Sequence, residues 1–109
     1  MAVLHIQAKI QWKAFRDPSS KIWVAVCQPL KLTVQGETWG ALMECINDTL
    51  NLLFNALMES GDFEKFLRKH GWKKLNELPP KSSRVKFDVP FDVQRRNRPY
   101  DYDTAGALC

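Results

Sequence analysis

No run of about 18 apolar residues, the length a membrane-crossing helix needs, occurs in this 109-residue chain. The opening, Met1 to Ile10, is interrupted by His5, Gln7 and Lys9 and carries no cleavage pattern, so no signal peptide is expected. Cysteine is sparse. Cys27, Cys45 and Cys109 are odd in number and far apart, which argues against a disulfide framework or a paired-cysteine metal site and fits reduced thiols in a cytoplasm. The two histidines, His5 and His70, make no ligand cluster, and no glycine-rich phosphate loop is present. Neither repeats nor low-complexity tracts occur. No metal and no cofactor are therefore expected.

What the chain does have is one long amphipathic segment. Trp39, Leu42, Met43, Ile46, Leu50, Leu53, Phe54 and Leu57 recur at three- and four-residue steps. At about 100° per residue they share an arc of roughly 120°, the apolar stripe of a helix. Glu44, Asn47, Asp48, Asn51, Asn55 and Glu59 face the other way. Thr38 stands at the N-cap, where its hydroxyl can accept from a free N–H of the first turn. Gly36 lets the chain turn out of the preceding strand, and Gly61 ends the helix.

The remaining elements read as the surface that this helix covers. Leu4, Ile6, Ala8, Ile10, Trp12 and Ala14 alternate with His5, Gln7, Lys9, Gln11 and Lys13, the period of a half-buried strand. Arg16 to Lys21 supplies turn chemistry around Pro18. The apolar run Ile22–Cys27 suits a central strand, and the two runs form an antiparallel hairpin. Leu30 to Gln35 makes a third strand. After the long helix, Asp62 can cap a short one holding Phe63, Phe66 and Leu67. Gly71 then ends that helix, with Trp72 folded back on its last turn. Leu78 to Ser83 is a connector broken by two prolines. Val85, Phe87, Val89, Phe91 and Val93 alternate as a fourth strand, which Pro90 confines to a sheet edge or bulge. Gln94 to Cys109 has no periodicity and reads as a flexible tail, leaving residues 1–93 as the domain.

The order is β-β-β-α-α-β, an α+β fold. Three antiparallel strands and an edge strand make one small mixed sheet, with the long helix packed on one face. The fourth strand, reached by a helical crossover, lies parallel to the first.

Gly36-Glu37-Thr38 at the start of the long helix, and Phe66-Leu67-Arg68-Lys69-His70-Gly71-Trp72 across the short one, resemble the HicB family of antitoxins over residues 4 to 93. The resemblance implies a partial RNase H-like fold, a dimer, and capture of a HicA-type mRNA-cleaving toxin. Ala41 stands where the family usually places Glu, so no reciprocal capping box forms. The stretch after residue 93 leaves no room for the DNA-binding segment that many HicB proteins carry.

A metal-dependent nuclease needs several converging carboxylates, and the first strand offers none. Glu44 and Asp48, one turn apart, read as a solvated helix face. His5 with Cys27, or His70 with Cys45, would be nucleophile–base pairs only if the fold joined them. Catalysis is not expected. An inhibitor of a basic toxin should offer carboxylates on rigid elements, and the candidates are Asp17, Glu37, Glu44 and Asp48. The competing expectation is a nucleic-acid-binding regulator that uses Lys9, Lys13, Arg95, Arg96 and Arg98. It draws on the uneven charge, since residues 1–36 hold five basic side chains against one acidic. A third is a solitary homo-oligomer paired through the edge strand around Pro90. Trp23 and Leu52 lie off the expected core faces and could serve such a contact.

Overall fold

The computed structural model describes residues 2–76, 85–96 and 109. In chain order the elements are β1 (Ala2–Gln7), β2 (Ile10–Arg16), β3 (Trp23–Cys27), β4 (Leu32–Gly36), α1 (Trp39–Ser60), α2 (Phe63–His70), β5 (Lys73–Lys74), β6 (Val85–Asp88) and β7 (Phe91–Arg95). The fold is α+β, with two helices, one of them long. Its strands form two small mixed sheets instead of the expected one. The alternating run from Leu4 to Ala14 divides into β1 and β2, and the run from Val85 divides into β6 and β7, with β7 continuing through Gln94 and Arg95, which were expected in the tail; the expected connector 78–83 and residues 97–108 of the tail lie outside the described residues. The chain falls into two compact units, residues 1–9 with 50–90 and residues 10–49 with 91–109.

In the first unit the strand order is β5-β1-β6. β6 runs parallel to β1, with Ala2 opposite Val85 and His5 opposite Asp88. β5 runs antiparallel on the other edge, with Ile6 opposite Lys74 and Gln7 opposite Lys73. Asn76 continues that edge with its side chain: its Oδ1 accepts from the His5 amide at 2.9 Å and its Nδ2 donates to the Val3 carbonyl at 2.8 Å. The interior is aromatic. Phe54 of α1 lies 5.4 Å from Phe87 and about 6 Å from Phe63, Phe66 and Trp72, mostly edge-to-face. Such contacts add to the burial term. Asn51, expected on the wet side of α1, instead accepts from the Phe87 amide at 2.9 Å and so ties the helix to β6.

In the second unit the order is β4-β3-β2-β7. β2, β3 and β4 are antiparallel neighbours, and β7 lies parallel to β2 at the edge. Burial of both Ala14 and Phe15, and of both Val24 and Ala25, shows that the two central strands are covered on both faces. The core continues through Trp12, Val34, Leu42 and Ile46. The strand-to-helix corner needs glycine for a steric reason beyond turning: a Cβ on Gly36 would stand 2.6 Å from the Leu42 nitrogen.

The helix ends follow their local residues. The Ala41 amide donates to Thr38 Oγ1 at 3.0 Å, the expected cap. Gly61 and Gly71 both take positive φ, and the paired backbone bonds that close each helix are present. Asp62 precedes α2 but makes no side-chain cap; its carboxylate accepts from the Ser60 hydroxyl at 3.1 Å instead. The thiols also depart from expectation. Cys45, on the buried side of α1, is joined to Cys109 by a disulfide, and only Cys27 is free.

Candidate functional site

The four carboxylates proposed from sequence all belong to the second unit, and they differ in their freedom. Asp17 is committed to its own turn, where its Oδ1 accepts from the amides of Ser19 at 2.8 Å and Ser20 at 3.1 Å. Glu37 is exposed just before α1. Glu44 and Asp48 are exposed one turn apart on α1, and neither forms an ion pair among the described residues. Like charges at that spacing repel by about 0.2–0.5 kcal/mol, a cost that a cationic partner would relieve.

The five cations proposed from sequence differ in their surroundings. Arg98 lies outside the described residues. Arg95 is engaged by aromatic rings, its guanidinium carbon 4.9 Å from the Trp23 centroid and 4.6 Å from that of Trp39. The two indoles meet edge-on at 5.1 Å. Trp23, which the sequence left available for a partner, is thus packed within the unit. Arg96 donates from Nη2 to Gln94 at 3.2 Å and from its amide to Ala14. Lys13 lies beside a shallow cleft with Gln11, Val26, Gln28 and Pro29. Lys9 belongs to the first unit.

The members of the two proposed nucleophile–base pairs each have other surroundings. His5 instead faces Asp88 across the parallel β1–β6 ladder, Nδ1 to Oδ2 at 3.0 Å. Cys27 is fully buried, and burial pushes its thiol above the usual range. Cys45 is disulfide-bonded. His70 sits in an aromatic stack, 4.3 Å from Phe66 and 5.0 Å from Trp72. Among the described residues no three His, Cys, Asp or Glu side chains gather as a metal site would require.

Sequence reasoning missed a pair of clefts in the first unit. Gly71 turns the chain after α2 and sends Lys73 and Lys74 alongside β1, which brings the end of β1 against the end of α2. One cleft, of about 530 Å3, is lined by Gln7, Ala8, Lys9, His70, Gly71, Trp72 and Lys73. The other, of about 430 Å3, is lined by Glu64, Leu67, Arg68, Trp72, Lys73 and Lys74. Trp72 and Lys73 belong to both. Glu64 and Lys74 pair at 2.7 Å, which holds the Glu64 carboxyl below its usual range. The signal was the run Arg68-Lys69-His70-Gly71-Trp72-Lys73-Lys74, basic with an indole inside it.

The chain finds no match among protein-family models, curated proteins or solved structures.

Proposed function

We propose that this protein is an antitoxin-like binding module that neutralises a small basic, HicA-type mRNA-cleaving toxin by covering its active site. The observation that carries the reading is the Glu44–Asp48 pair: two exposed carboxylates on one rigid helix, with no cation beside them among the described residues. A toxin that grips RNA phosphates presents Lys and Arg, and fixed carboxylates complement them without ordering a loop. Glu37, exposed just before α1, adds a further carboxylate; Asp17 is spent on its own turn. The resemblance around Gly36–Thr38 and Phe66–Trp72 points the same way. The protein acts by binding, as a dimer, and in the cytoplasm where its target cuts mRNA.

The test is co-expression with the small basic protein encoded in the neighbouring reading frame. Growth restored by the wild-type chain and lost with the Glu44→Lys/Asp48→Lys double variant supports the reading. A neighbouring frame that encodes no toxic protein removes it.

A further inference from the structure

We propose that the paired clefts of the first unit bind single-stranded nucleic acid, with a base stacked on the face of Trp72 that His70 does not cover and the backbone phosphates held by Lys9, Arg68 and Lys73. This goes beyond toxin capture, which uses the other unit's carboxylates.

Three observations converge on this ligand. The first is charge. Lys9, Arg68, Lys73 and Lys74 rim the clefts against one acid among the described lining residues, Glu64, which pairs with Lys74 and interacts more weakly with Arg68. The C-terminus of α2 points a dipole of about half a negative charge here, and Lys9 and Lys73, which form no ion pair among the described residues, outweigh it. The second is shape. Each cleft has the volume of a small-ligand pocket, and the two adjoin through Trp72 and Lys73, which line both. A ligand that fills both must repeat its unit at short intervals, as a nucleotide chain does. The third is aromatic surface. Trp72 is only half-buried and is backed by His70 and Phe66, with ring separations of 5.0 and 5.5 Å. That backing fixes the indole as a stacking platform, and base stacking tolerates any sequence. An acidic peptide would answer the charge but leave the indole unused. A duplex keeps its bases stacked on one another and cannot offer them.

The test is fluorescence anisotropy of the full chain with labelled oligouridylate and oligothymidylate of about 12 nucleotides, within the span such sites cover. A duplex of equal length and polyglutamate serve as controls, and salt is varied from about 50 to 200 mM. Both single strands should bind more tightly than the duplex, with preference for one sugar identifying RNA or DNA as the natural source. Trp72→Ala should weaken binding by about 5- to 150-fold, the range of one lost base stack, while Trp72→Phe retains most of it. Lys9→Gln and Lys73→Gln should each flatten the log–log salt slope by about 0.7. Lys13→Gln, in the other unit, should change nothing. If Trp72→Ala unfolds, the two lysine variants and Trp72→Phe decide the matter. Absence of binding at the lowest salt overturns the proposal. So does equal binding of duplex, displacement by polyglutamate as effective as by unlabelled strand, or lysine variants that leave the slope unchanged.

Discussion

The guanidinium of Arg95 lies 4.6 Å from the centre of the Trp39 ring, so the edge strand β7 is fastened to the first turn of α1 by a cation–π contact. Trp23 of β3 takes the same guanidinium at 4.9 Å. Three segments distant in sequence therefore meet at one charge. At a partly exposed position such contacts contribute about 0.5–1 kcal/mol each. Arg95→Ala should lower stability by about 1–2 kcal/mol in urea unfolding, and Arg95→Lys should recover only part of it because the planar overlap is lost. An unchanged urea midpoint would show that the rings hold β7 without the cation.

Two glycines near the start of α1 should respond oppositely to alanine. At Gly36 the new Cβ would meet the Leu42 nitrogen at 2.6 Å and its Cα at 2.9 Å, backbone atoms that cannot swing aside. Gly36→Ala should cost about 1–3 kcal/mol, the range for overpacking. At Gly40 the nearest atom is Thr38 Oγ1 at 4.0 Å. Gly40→Ala should stabilise by about 0.5–1 kcal/mol through helix propensity. Thermal unfolding of the two variants beside wild type checks both signs.

The disulfide gives a count that chemistry can read. Cys45 and Cys109 are 64 residues apart, and closing a loop of that order stabilises by about 2–4 kcal/mol. Denatured protein without reductant should titrate one thiol, Cys27, and three after reduction. In the native state Cys27 should react slowly, since it is buried and its thiol is pushed up. Three thiols before reduction would mean that Cys45 and Cys109 are not joined.

Glu64 supplies a pH signature. Lys74, through a hydrogen bond and its charge, holds the Glu64 carboxyl below its unfolded value of about 4.3. A depressed native pKa contributes stability that is present above the unfolded value and is lost as pH falls through the native one. Wild type should therefore melt above Glu64→Gln at neutral pH, and the gap should close in acid. The gap will be small, because the pair is exposed. A gap that persists at acid pH would assign the difference to packing.

The helices were legible in the sequence because their limits are set locally. Thr38, Gly61 and Gly71 act within a few residues, and each behaves as its type dictates. The parallel pairing of the late strands was legible too, from the crossover rule. The division into two sheets was not. Leu4 through Ala14 keep their alternation straight through Ala8 and Lys9, so parity carries no mark of the break; remote partners decide where each strand ends. Asp62 misled for a related reason, since Ser60 competes for the carboxylate that would have capped α2. The Cys45–Cys109 bond and the Trp72–Lys73 clefts are likewise products of long-range pairing. Of the candidate carboxylates, the sequence could say which were available in type but not that Asp17 is held by Ser19 and Ser20.

The most direct measurement of the central claim is a titration of the purified chain against the small basic protein of the neighbouring reading frame, with the Glu44→Lys/Asp48→Lys variant run in parallel. A tight complex is expected that the double variant weakens at least tenfold, about 1.4 kcal/mol, while its melting temperature stays within a degree or two of wild type. Equal affinity of the variant and wild type would contradict it, because the exposed acidic face of α1 would then have no part in binding.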